Sequence, residues 1–292
     1  MKNSIEVKNL TKRYDTFLID GISFSVPSGH ICGFIGKNGA GKTTTIKLIL
    51  DMAKKDAGEI EILGKPYDDI TVKEDLAVLF DRPSFQEVWT ALDVEKAMSP
   101  FYKTWDSTAF RKYLNAFSLN LNQKYKTFSR GMKMKLGLAT ALAHDAKLII
   151  LDEPTSGLDP VSRDELLDIL QGYISQENRS IFFSTHITSD LEKVADYIVF
   201  IHNGQIVFGG LKDELKEKYC LVRGGKNDLP DNKRGKVLGL REHIAGFEGM
   251  IDVADIGGFS SGVVIESASL DDIMIHINKA DMLNTAQKGV WQ

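Results

Sequence analysis

The 292-residue sequence predicts an α/β protein, in which a core sheet flanked by helices carries an antiparallel edge subdomain, a helical subdomain and a small C-terminal α/β appendage. Three observations predict this. Apolar runs of strand length, such as Ile31-Cys32-Gly33-Phe34-Ile35 and Leu148-Ile149-Ile150-Leu151, stop abruptly at glycine or at acids, as buried strands do. Residues 85 to 145 between the two runs are mostly helical in pattern. After Tyr219 the chain breaks into short strand-like pieces that carry none of the chemistry found upstream.

In chain order, strands near 3 to 9, 22 to 26 and 59 to 63 form the edge subdomain. Strands near 31 to 35, 76 to 80, 148 to 152, 181 to 185, 197 to 202 and 205 to 208 form the core sheet. A helix follows Thr43, with Ile46, Leu48, Ile49 and Leu50 as its apolar positions. Another begins after Ser129, a good N-cap, and places Met132, Leu136 and Ala143 along one face. Leu211 to Tyr219 reads as a helix, and Arg223 to Asp231 as a turn or linker. Gly262-Val263-Val264-Ile265-Glu266 is strand-like, and Ser269-Leu270-Asp271-Asp272 looks like a helix start. The expected domains are residues 1–219, containing the helical subdomain 85–145, and an accessory domain 220–292 that serves dimer contact or regulation, or covers the sheet edge.

Bulk properties exclude several classes. A formal net charge of −4 gives no general nucleic-acid surface. The two cysteines, Cys32 and Cys220, suit a reducing compartment and make no metal-ligand cluster. The N-terminus enters an alternating strand with no signal-peptide pattern, and no apolar run approaches the ~18 residues that span a bilayer.

The chemistry lies in three segments. Gly36-Lys37-Asn38-Gly39-Ala40-Gly41-Lys42-Thr43 fits G-x-x-x-x-G-K-[ST] between a strand and a helix. There the glycines let backbone N–H groups curve around a β-phosphate, Lys42 reaches the β- and γ-oxygens, and Thr43 ligates Mg²⁺. In the second segment, the run 148 to 151 ends at Asp152-Glu153, two carboxylates at the mouth of a buried strand. Buried acids are costly unless paired or bound to a cation, which makes Asp152 a second Mg²⁺ partner and leaves Glu153 to polarise water. In the third, Phe128-Ser129-Arg130-Gly131-Met132-Lys133, Arg130, Lys133 and Lys135 crowd a helix N-terminus against its macrodipole. An anion docked there, a γ-phosphate being the obvious candidate, removes the conflict, whereas the ordinary alternative is a solvated basic helix start.

In this order the motifs resemble the nucleotide-binding subunit of an ABC transporter, over residues 1 to about 215. Residues 36 to 43 resemble Walker A, 128 to 132 the Leu-Ser-Gly-Gly-Gln signature, and 148 to 153 Walker B with its catalytic glutamate. Ser156-Gly157-Leu158-Asp159 resembles the D-loop, and His186, after Ile181-Phe182-Phe183-Ser184-Thr185, the switch histidine. Tyr14 matches the aromatic residue that stacks on adenine. The resemblance implies the P-loop NTPase fold with ABC-type subdomains, and ATP held by Tyr14, Gly36, Asn38, Gly39, Gly41, Lys42, Thr43 and Thr44. It implies that a second copy completes the site with Ser129, Gly131 and Asp159, and that Glu153 and His186 are catalytic. It also implies membrane permease subunits as partners and a peripheral position on the cytoplasmic face of the membrane. Of the aromatic-rich stretch Val88 to Trp105, the exposed part is expected to receive the permease.

Two departures stand out. Arg130 and Met132 occupy signature positions where glycine and glutamine are usual. Asp81, in Ala77-Val78-Leu79-Phe80-Asp81-Arg82-Pro83, stands where the Q-loop glutamine is usual; Gln86, five residues on, is either a displaced substitute or, as expected here, an ordinary surface residue. Asp81 is the expected metal-side group together with Thr43 and Asp152. These departures and the C-terminal appendage resemble bacterial ABC-2-type exporter ATPases, including those that expel antimicrobial peptides or amphipathic cytolytic peptides such as phenol-soluble modulins. Two other readings compete. A soluble ABC ATPase that remodels a macromolecular complex is opposed by the single nucleotide-binding unit and the absence of a long coiled-coil insertion. A weakly hydrolysing regulatory module is opposed by intact Glu153 and His186.

Overall fold

The structure, a computed structural model, describes residues 2–81, 83–176 and 178–288, with side chains up to residue 280. The chain divides into two compact units at 209/210. The division falls ten residues before the expected one, so the helix over 212–218 belongs with the C-terminal unit.

The first unit opens with β1 (Asn3–Arg13), β2 (Leu18–Pro27) and β3 (Ile31–Ile35), followed by α1 (Lys42–Ile49), β4 (Ala57–Ile62) and β5 (Lys65–Pro66). Next come β6 (Leu76–Leu79), α2 (Ala91–Met98), α3 (Ser107–Ala116), α4 (Arg130–Leu142), β7 (Leu148–Asp152) and α5 (Pro160–Ile174). β8 (Ser180–Thr185), α6 (Thr188–Val194), β9 (Tyr197–His202) and β10 (Gln205–Leu211) complete the order.

β1, β2, β4 and β5 make the antiparallel edge sheet, in the order β2-β1-β4-β5. The core sheet runs β10-β9-β3-β8-β7-β6, and its pairs among β9, β3, β8, β7 and β6 are parallel. β3, β7 and β8 are buried along their whole length, which is why they read as continuous apolar runs rather than alternating ones. Phe24, Phe34 and Phe182 stack between the edge sheet and the core sheet. Parallel register sets Asp152 opposite Ser184 and Ile35 opposite Thr185, so the segments that follow β3, β7 and β8 emerge side by side. Open α/β sheets bind ligands at this carboxyl edge.

The helices of residues 85–145 have local causes. Thr90 caps α2 in a reciprocal box with Asp93, Asp106 caps α3 through Thr108 and Ala109 N–H, and Ser129 caps α4 through Met132 N–H. His144, just beyond α4, stacks on Tyr102 with ring centroids 3.8 Å apart and bonds the Leu76 carbonyl at 3.0 Å. It thereby ties the helical subdomain to β6.

The second unit holds α7 (Lys212–Lys218), β11 (Tyr219–Gly224), α8 (Asp231–Arg234), β12 (Leu238–His243), β13 (Gly246–Asp252), β14 (Val264–Ser267) and α9 (Leu270–Lys288). Its sheet is antiparallel in the order β12-β13-β11-β14, and α9 packs on β12 and β13. Cys220, Val222, Leu229, Val237, Phe247 and Ile251 form its core. The expected helix start is present as a capping box between Ser269 and Asp272. The stretch expected as a turn or linker is a turn inside this unit, because Arg223 and Gly224 still pair in β11 and Asp228 closes the loop onto Gly225 N–H.

Candidate active site

The segment 36–41 leaves β3 as a loop that only glycine can shape at two points. Gly39 and Gly41 have φ of +81° and +115°, and a Cβ on Gly41 would meet Phe17 and Ile19. The β9–β10 turn braces this loop from outside, with Gly204 N–H donating to the Ala40 carbonyl at 3.0 Å. α1 then starts at Lys42, and its first turn carries no acid to compete with a bound anion.

Lys42 is buried, and its ammonium donates to the carbonyls of Gly36 at 2.7 Å and Lys37 at 3.3 Å. It also stands 3.1 Å from Glu153 Oε1. The other oxygen, Oε2, lies 2.7 Å from His186 Nδ1 and accepts the His186 backbone N–H at 3.4 Å. Glu153 has φ of +52°, a left-handed conformation unusual for a non-glycine residue. That turn lifts its carboxylate off the strand direction toward Lys42 and His186, and its backbone N–H is held by the Ser184 carbonyl at 2.9 Å.

Asp152 is 3% exposed. Its carboxylate accepts the Thr43 hydroxyl at 2.8 Å on Oδ2 and the Ser184 hydroxyl at 2.6 Å on Oδ1. Thr43 and Asp152 thus present adjacent hard oxygens, the donor type that Mg²⁺ takes when phosphates and water fill its other positions. Among the described residues no group of three His, Cys, Asp or Glu could hold a metal. The residues present fit Mg²⁺ bound together with a nucleotide.

Tyr14, Asn38, Gly39, Gly41, Lys42, Thr43, Thr44 and Glu153 line one cleft of about 680 Å³. Thr16 and Phe17, which sequence reasoning missed, line it too. Gly36 is not among the residues that line it, and a Cβ there would collide with the Ile201 carbonyl. Tyr14 is 44% exposed with the Lys12 ammonium 5.5 Å from its ring, which leaves a face open to a base.

Other expected residues stand elsewhere. Ser129 and Gly131 open α4, and Asp159 caps α5 by accepting Val161 and Ser162 N–H at 3.1 and 3.0 Å. These bonds hold the Asp159 carboxyl below the usual range. The basic helix start has partners within the chain: Arg130 on Asp81, Lys133 over the Tyr125 ring, and Lys135 on Glu165 at 2.6 Å. The macrodipole conflict is therefore relieved without an anion. Asp81, expected beside the metal, accepts the Arg130 guanidinium on Oδ1, because β6 ends next to α4. Gln86 is exposed.

A phosphate loop at the end of β3 and an acid pair at the end of β7, with β8 between the two strands, define a P-loop nucleoside triphosphatase. The family model described as "ABC transporter" matches residues 19–156. A bacitracin transport ATP-binding protein of Enterococcus faecalis is 32% identical over 90% of this chain and 87% of its own length. A lantibiotic transport ATP-binding protein of Streptococcus pyogenes is 34% identical over 70% of this chain and 89% of its own. Among solved structures, an ATP-binding subunit of an ABC transporter superposes with a TM-score of 0.66 at 29% identity, covering 73% of this chain and 91% of that one. The chain belongs to the ATP-binding subunits of ABC transporters. Among the described residues, no helix is long and apolar enough to cross a membrane.

Proposed function

We propose that this chain hydrolyses ATP to drive an exporter of peptides or other amphipathic, toxic compounds. Two copies would close on ATP at the cytoplasmic face of the membrane, bound there to permease subunits. The observation that carries the catalytic reading is Glu153, set between the Lys42 ammonium and the His186 imidazole in the cleft of the phosphate loop. The cargo class is supported by the relatives, which are named for bacitracin and lantibiotic transport.

In this reading the base of ATP stacks on Tyr14, and the loop N–H groups and Lys42 take the phosphates. Thr43 and Asp152 would hold Mg²⁺, which when bound would supply Lewis-acid stabilisation of the phosphate charge. A γ-phosphate offered to Lys42 competes with Glu153 for the same ammonium, which frees Oε1 for water. Glu153 then takes a proton from that water as its oxygen attacks the γ-phosphorus and the bond to the bridging oxygen of ADP breaks. His186 keeps the carboxylate aimed through Oε2. Ser129 and Gly131 of the second copy would close over the γ-phosphate, with Asp159 at the junction.

The helical subdomain offers the surface for the permease. Phe101, 76% exposed, and Met98 form one side of a cleft of about 560 Å³, whose other side is Ile70, 75% exposed, and Lys73 from the segment just before β6. Tyr102 also lines this cleft while its ring stacks on His144, and Trp105 packs against Phe110. The 210–292 unit serves dimer contact or regulation.

The test is ATP hydrolysis by the purified chain, alone and with a co-expressed membrane partner. Wild type is expected to release phosphate, and Glu153→Gln to bind ATP with turnover reduced at least ~100-fold. Turnover at the wild-type rate in Glu153→Gln would remove Glu153 as the base.

A further inference from the structure

The two places where this chain departs most from its family's motifs touch each other. Asp81 lies just beyond β6, at the edge of the core sheet, and Arg130 is the first residue of α4. The Arg130 guanidinium donates through Nη2 to Asp81 Oδ1. The same nitrogen is 3.5 Å from Ser156 Oγ, and the guanidinium lies against Gly157. Gly157 has φ of +68° and no Cβ, and a Cβ there would collide with that guanidinium. A planar, forked cation thus reaches two segments at once, the strand end at Asp81 and the turn that leads into α5.

Each departure alone is hard to understand. An arginine beside Ser129 and Gly131 adds bulk and charge at a helix start that has no acid in its first turn. An aspartate in place of the Q-loop glutamine adds a carboxylate just beyond β6, the strand that pairs with β7. Taken together, they neutralise one another. A glycine at 130 has no side chain to cross to residue 81, and a glutamine at 81 offers the guanidinium no charge. Both side chains are well exposed, beside a cleft of about 440 Å³ lined by Pro83, Phe85, Tyr125 and Lys133. Exposed ion pairs contribute little to folding, so the selective value of this one is sought in placement.

We propose that Asp81 and Arg130 act as one positioning unit for ATP hydrolysis. The pair fixes Ser129 and Gly131 relative to the core sheet and to the Ser156-Gly157 turn, so that closure of two copies brings them onto the γ-phosphate in register. Neither residue lines the cleft of Tyr14 and Lys42, so the unit governs turnover and leaves capture of ATP by a single copy unchanged. This inference rests on the ATPase reading above.

A double-mutant cycle on the full chain tests it, with Asp81→Ala, Arg130→Ala and the pair compared for kcat, ATP affinity and thermal midpoint. Each single change is expected to lower kcat about tenfold, and the double change also about tenfold rather than a hundredfold, because residues acting as a unit are lost only once. ATP affinity and thermal midpoint are expected to stay at wild-type values. Losses that multiply, singles without effect, or a fall in ATP affinity that matches the fall in kcat would each overturn the unit. Hydrolysis by wild type and its loss in Glu153→Gln read the ATPase assignment in the same assay, separately from the cycle.

Discussion

Lys42 and Glu153, which come from different strand ends and lie far apart in sequence, meet at 3.1 Å inside the phosphate cleft. The ammonium that would receive phosphate and the carboxylate that would activate water therefore share one contact. In the proposed mechanism a phosphate group would displace Glu153 from Lys42, which would link nucleotide binding to release of the base.

Lys42→Ala is expected to weaken ATP binding at least ~10-fold, because a charge-assisted donor to the phosphates is lost. The protein itself should remain folded, since Glu153 keeps its bond to His186. Titration with a fluorescent ATP analogue, alongside circular dichroism, checks both halves.

Ser184 is the residue of the site least visible beforehand. Its hydroxyl donates to Asp152 Oδ1 at 2.6 Å, on the side away from Thr43. Ser184→Ala is expected to destabilise the chain by about 1–3 kcal/mol, through a buried carboxylate deprived of a donor. Removing an outer partner of a metal ligand should also raise the Mg²⁺ concentration for half-maximal turnover about 10-fold or more. Urea unfolding and a Mg²⁺ titration of the ATPase rate report the two effects; an unchanged Mg²⁺ curve would separate Ser184 from the metal.

Tyr14→Ala is expected to cost about 1–3 kcal/mol of ATP binding, the usual loss for one base–aromatic stack. Affinity for inorganic triphosphate, which has no base, should not change. Equal losses for both ligands would show that Tyr14 supports the loop rather than the base.

Stability should depend on pH through His144. Burial lowers the imidazole pKa, with the Leu76 carbonyl opposing in part. Its folded value lies below the unfolded one, so the neutral ring's contribution is complete above the unfolded imidazole pKa of about 6.5 and is lost as pH falls toward the folded value. The thermal midpoint of wild type should drop more steeply between about pH 7.5 and pH 5 than that of His144→Gln, whose amide can still donate to Leu76 but does not titrate.

Most of the fold was legible because buried parallel strands write themselves as apolar runs, and the phosphate loop because its glycines are needed for shape. What escaped notice depended on register. Ser184 read only as part of a strand, and nothing local says that it faces Asp152 across β7 and β8. Thr16 and Phe17 sit in the β1–β2 connection, where no periodicity marks a wall of the cleft. The sequence points Asp81 toward the metal because it stands where the Q-loop glutamine is usual. The claim of Arg130 on it arises from the packing of α4 beside β6, and the only clue in the sequence was two departures of opposite charge.

The brace between Gly204 N–H and the Ala40 carbonyl has a consequence for the birth of the protein. A ribosome delivers the phosphate loop early, yet β8 and β9, the neighbours of β3, and the turn that supports Ala40 arrive only as the first unit nears completion. During synthesis the nascent chain therefore carries a nucleotide motif before the strands and the turn that support it have been made.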